Sequence, residues 1–71
     1  MEKFIDQMTE IFEVDEINLN DKLVDFDAWD SLTQLSIIAL SEEEYGVTIS
    51  ANELIEADTI QGIKDLIMSK K

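Results

Sequence analysis

Cysteine is absent from this 71-residue sequence, and so are histidine, arginine and proline; glycine occurs twice and tryptophan once. Without cysteine the chain has no disulfide and no thiol of its own. Nothing in it asks for an oxidising compartment, so a cytoplasmic location is expected. Without histidine, a Ser-His-acid triad cannot be assembled. With no proline and two glycines, helix ends must be set largely by capping side chains. No apolar run approaches the ~20 residues of a membrane span. The opening residues, MEKFIDQMTE, are acidic and amphipathic, and lack the basic start and apolar block of a secretory signal.

Negative charge is what the sequence has in excess. Asp and Glu number 17 against five Lys, for a formal net charge of -12. Between Lys22 and Lys64 no basic residue occurs, and nine acids do: Asp25, Asp27, Asp30, Glu42, Glu43, Glu44, Glu53, Glu56 and Asp58. Such a surface repels phosphate backbones and anionic lipid, so neither nucleic acid nor membrane is an expected partner. It attracts basic patches on other proteins and steers encounter with them. The plainer reading is that the acidity only keeps the protein soluble. The length gives one domain spanning residues 1–71, with a modest core and marginal stability.

Phe4, Ile5, Met8, Ile11 and Phe12 share one helical face, which predicts a helix over residues 2–12. From Glu13 to Asp30 the pattern loses its period and fills with Asn and Asp, which favour turns. This predicts a long loop with inward anchors at Val14, Ile17, Leu19, Leu23 and Phe26. A second helix is predicted from Ser31 to Tyr45, capped by Asp30 and closed by Gly46. A short extended piece, Val47 to Ile49, follows. Ser50-Ala51-Asn52-Glu53 is a capping box that opens a short third helix to about Ala57. Asp58-Thr59-Ile60-Gln61 is a looser version of that signal. It opens a fourth helix to about Ser69, with Ile60, Ile63, Leu66 and Ile67 on one face. The expected fold is all-α: a small four-helix bundle, three main helices and one short, with a long loop between the first two.

The second helix has two apolar faces. Ile37, Leu40 and Tyr45 face the expected core, with Ser41 among them, while Leu32, Leu35 and Ala39 fall on roughly the opposite side. Either the long loop covers that second stripe or it is offered to a visitor. At the head of the same helix stands Ser31, in "FDAWDSLTQLS". No Lys lies between Lys22 and Lys64 to assist it, so something outside the chain must act on its hydroxyl.

Asp30-Ser31-Leu32, heading an acidic helix after a long loop, resembles the attachment motif of acyl carrier proteins. The likeness extends over nearly the whole chain. Glu42-Glu43-Glu44-Tyr45 is similar to the acidic end of that family's second helix, and "GVTISANELIEADTIQGIKDLI" to its turn and last two helices. The resemblance implies a non-enzymatic carrier. A phosphopantetheinyl transferase would place 4'-phosphopantetheine on Ser31, helped by Asp30. The arm's thiol would then carry acyl groups as thioesters for fatty acid synthesis or a related specialised pathway. Leu32, Leu35, Ala39, Glu42 and Glu43 match positions that such carriers present to acyl-loading and acyl-processing enzymes with basic patches. Ile37, Leu40, Ile49, Leu54 and Ile60 would either line a shelter for the acyl chain or form ordinary core. A monomer is expected.

The sequence departs from the family at Ala28, where many members have glycine, and at Ser41, Ala39 and Ser50. These departures bear on partner choice and lean toward a specialised pathway. Trp29 would pack on the bundle or cover the arm. Two rival functions stand beside this one: an aminoacyl or peptidyl carrier, and an unmodified acidic interaction module. The segment Asp25 to Asp30 also starts like a calcium loop. However, Asp30 stands where glycine is required and Ser36 where the twelfth-place Glu belongs, so no specific metal site is expected.

Overall fold

The computed structural model describes residues 3–71. Four α-helices follow in order: α1 Phe4–Phe12, α2 Ser31–Tyr45, α3 Ala51–Ala57 and α4 Ile60–Lys70. No strand occurs among the described residues, and the architecture is the expected small helical bundle. The predicted start of the first helix at residue 2 lies outside the described residues.

In α1, Phe4, Met8 and Phe12 recur every four residues and are buried, while Ile5 and Ile11 are half-buried on the flanks. The helix stops at Glu13, which takes the left-handed conformation at φ 58°. Its amide donates to the Glu10 carbonyl at 3.3 Å, and the Val14 amide to Thr9 at 3.1 Å. That arrangement overturns one expected anchor. Val14 is 36% exposed, because the backbone there is still tied to the end of α1 and has not yet turned inward. Ile17 and Leu23 are buried as expected, and Leu19 and Phe26 are half-buried against the core.

The loop contains a 3-10 turn, Leu23–Asp25, that the sequence pattern did not announce. Just before it, the backbone is stitched to the start of α4. The Ile60 amide donates to Asp21 O at 3.1 Å and the Gln61 amide to Leu19 O at 2.8 Å. In return, the Leu23 amide donates to Asp58 O at 2.8 Å. The opening amides of a helix have no partner within it, and here loop carbonyls supply one.

The caps of α2 and α3 are those predicted. Asp30 Oδ1 accepts from the Thr33 amide at 2.9 Å, and Gly46, at φ 67°, closes α2 in a conformation glycine adopts without strain. Ser50 and Glu53 form both halves of the capping box. Between Gly46 and Ser50, Val47 and Ile49 are buried and Thr48 is exposed, the alternation of an extended segment. The fourth helix differs by one residue from the predicted signal. Its cap is Thr59, whose hydroxyl accepts from the Gly62 amide at 3.0 Å. Asp58 instead sits at φ 66° and ψ -40°, in a tight turn closed by Thr59 N–H donating to Ala57 O at 2.7 Å. That turn brings α4 hard against the end of α3. A Cβ on Gly62 would overlap the Ala57 carbonyl, so only glycine fits there.

Ile60, Ile63 and Ile67 are fully buried and Leu66 half-buried, so α4 buries the face its periodicity marks out. With Phe4, Met8, Leu23, Ile37, Ile49 and Leu54 they make one continuous core.

Candidate functional site

The site is built from the end of the loop and the start of α2. Phe12, at the end of α1, stacks on Phe26 with ring centroids 4.5 Å apart and lies 6.1 Å from the Trp29 ring. Trp29 therefore packs on the bundle, and the aromatic cluster pins the loop just before Ser31. The Thr33 hydroxyl donates back to the Ala28 carbonyl, tying the first turn of α2 to the same loop. Asp30 holds the Thr33 amide with its side chain, and its carbonyl accepts from Gln34 at 3.0 Å. The backbone on either side of Ser31 is fixed, while Ser31 itself is exposed.

As the first residue of α2, Ser31 stands where the helix presents unpaired amides and the positive end of its dipole. Asp30 has taken the Thr33 amide, which leaves those of Ser31 and Leu32 for an outside partner. An anionic ester on the Ser31 oxygen fits such a position, with a gain of roughly 0.3–1 kcal/mol from the dipole.

The residues expected at the docking face come together. Leu32 is 74% exposed and Leu35 60%, so the loop does not cover them. Ala39, Glu42 and Glu43 are exposed further along α2. Spacings of three and four residues put Leu32, Leu35, Ala39 and Glu42 on one stripe. The residues expected to shelter an acyl chain lie elsewhere, in the closed core. Ile37, Leu54 and Ile60 have no exposed surface, Ile49 retains 2%, and Leu40 is half-buried. Ser41 is also fully buried, and its hydroxyl donates to Ile37 O at 2.9 Å, which satisfies it inside the helix.

Asp25, Asp27 and Asp30 do not converge: among the described residues no three acidic side chains form a metal-sized group. No helix of the described residues is long and apolar enough to cross a membrane. The sequence reading missed Thr33 and the Phe12–Phe26–Trp29 cluster. Threonine three places after an Asp cap is a weak hint of the first, whereas the aromatic cluster joins residues too far apart in sequence to leave a local sign.

Ser31 is thus exposed at a helix start, beside an exposed apolar and acidic stripe. The sequence model of one family, described as the phosphopantetheine attachment site, matches residues 2–67, and the chain belongs to that family. No curated protein and no solved structure matches the chain at a significant level. The family's domain is where 4'-phosphopantetheine is covalently attached, so this protein is a phosphopantetheine-carrying carrier.

Proposed function

We propose that Ser31 is the attachment residue and that the protein is an acyl carrier serving fatty acid synthesis or a related specialised pathway. The observation that carries this reading is the exposure of Ser31 at the first position of α2, on a backbone fixed from both sides. The group, once attached, supplies a flexible arm ending in a thiol, on which an acyl unit travels as a thioester. The chain's own residues do the rest. Asp30 holds the first turn of α2 in register so that Ser31 points outward. The Ser31 and Leu32 amides steady the phosphodiester.

Leu32, Leu35 and Ala39 offer partner enzymes, a phosphopantetheinyl transferase among them, a small apolar contact. Glu42 and Glu43 guide basic patches toward it. Small, charge-steered interfaces suit a protein that must dock and leave repeatedly. The strong acidity favours an acyl over an aminoacyl cargo. Ile37, Leu40, Ile49, Leu54 and Ile60 shelter an acyl chain only if α2 and α3 part, each buried methylene contributing up to ~0.8 kcal/mol toward that opening.

Intact-mass analysis tests this. Supplied with a phosphopantetheinyl transferase and coenzyme A, the protein should gain one phosphopantetheinyl group on Ser31. Protein from its native cell should carry acyl masses; aminoacyl masses would make it a carrier of the other kind. No gain under any condition would leave an unmodified acidic interaction module.

A further inference from the structure

We infer that the pantetheine arm rests in a cleft between the end of α1 and the start of α2, on the side of α2 that faces α1 and away from α3. The inference rests on the attachment of that arm to Ser31. The cleft has a volume of about 290 Å³ and is lined by Ile11, Glu13, Ala28, Asp30, Leu32, Thr33 and Ser36. Two of these, Asp30 and Leu32, are the immediate neighbours of Ser31, so a chain growing from the Ser31 oxygen starts at the cleft's edge.

The lining offers both apolar and hydrogen-bonding groups to the arm. Beyond the phosphodiester the arm carries a carbon with two methyl groups, then a carbon bearing a hydroxyl, then two secondary amides, then the thiol. Ile11 is half-buried and Leu32 is 74% exposed, and together they offer apolar walls to the methyl groups. The arm's amide N–H groups need acceptors. One Asp30 oxygen is engaged by Thr33 and the other is open, and Glu13 brings a second carboxylate to the rim. The Ser36 hydroxyl, exposed and bonded to Leu32 O at a long 3.2 Å, can turn to an arm carbonyl instead. The volume sits near the lower edge of ligand sites, about 300 Å³, which suits an arm of this size rather than an arm with its cargo.

On the other side of α2 nothing comparable is open among the residues expected to receive a chain. Ile37, Ile49, Leu54 and Ile60 are at most 2% exposed. The floor of the α1-side cleft is also firm, because the Thr33 hydroxyl fastens it to Ala28. A cleft that exists before loading spares the arm the work of opening the core.

The test compares apo and holo protein by nuclear magnetic resonance, with loading first confirmed by intact mass. Contacts should appear between the arm's methyl protons and the methyl groups of Ile11 and Leu32, and the amides of Ile11, Glu13 and Ser36 should shift on loading. In the Ser36→Glu variant, whose exposed substitution fills the cleft with a like charge, the Ile11 contact should vanish while α-helical circular dichroism stays unchanged. Holo protein whose arm contacts only α3, or nothing, overturns the inference and leaves Ser31 as the attachment residue. Persistence of the Ile11 contact in Ser36→Glu also overturns it. A chain that takes up no arm overturns the attachment reading itself and this inference with it.

Discussion

The Ser31 side chain is exposed at the head of α2, so replacing it should leave the bundle little changed. Ser31→Ala should abolish the mass gain on treatment with transferase and coenzyme A while changing stability by no more than about 0.5 kcal/mol. Asp30 is different, because its carboxylate satisfies a backbone amide of α2 at 2.9 Å. Asp30→Ala should cost about 1 kcal/mol, which a thermal melt would read as a drop of roughly 4–8 °C in a domain this small. Gly62 sets two effects against each other. Helix propensity alone would favour alanine by about 1 kcal/mol. The overlap with the Ala57 carbonyl involves backbone on both sides and cannot be relieved by turning a side chain, so it wins. Gly62→Ala should lower the melting temperature, and a rise would show that the α3–α4 junction can spread. Nothing in the local sequence marked Gly62, since its constraint comes from how closely two helices approach.

At the scale of the element, α2 was the most legible part of the chain. Asp30 and Gly46 bracket it as predicted, because caps act within a turn of the residue that makes them. The exposed apolar stripe was legible for the same reason: helical spacing alone puts Leu32, Leu35 and Ala39 on one side. Whether the loop covered them was not legible, since that depends on where the loop goes after Val14. The start of α4 was misread by one residue because Asp58 and Thr59 are both good caps. What decided between them was the tight turn at Asp58 and the loop carbonyls that bond to Ile60 and Gln61. Partners so distant in sequence leave no periodic trace. The charge on α2 leads to a kinetic expectation. Glu42→Lys combined with Glu43→Lys should lower kcat/KM of a partner enzyme by about tenfold or more, through a slower encounter. Added salt should slow the native carrier and affect the doubly substituted one far less. Rates indifferent to both changes would show that docking is governed by the leucines alone.

For the whole molecule, a net charge of -12 means that self-repulsion works against the compact state. Raising the salt concentration should therefore raise the melting temperature, the reverse of its effect on partner turnover. The pH dependence has an identifiable component at the alkaline end. Tyr45 has its hydroxyl raised above the ordinary 10.0, first by burial and then by the charge of Glu44. It donates to Gln7 Oε1 at 2.6 Å, a bond the ionised form cannot make, and so ties α2 to α1. Because its folded value is raised, its contribution is fully present below about pH 10 and is lost as the pH rises through that folded value. Tyr45→Phe should be less stable at neutral pH and should lose this part of the alkaline slope in thermal melts. At the acid end the opposite sign applies to Glu53, whose carboxyl is lowered chiefly by its bond to Lys70, 2.9 Å away. Its contribution is present above the unfolded carboxyl value and disappears as the pH falls through the folded one.

The stitch between the loop and α4 makes the two halves of the molecule answerable to each other. Leu19 and Asp21 lend their carbonyls to the amides that open the last helix, and that helix in turn anchors the strand of chain leading up to the tether point. Trimming the protein from its far end, or fusing a bulky neighbour there so that α4 frays at its start, would be felt at the serine. The handle would remain on its helix but on a slackened mooring. Loss of the last helix should therefore loosen the loop as well as uncover the core.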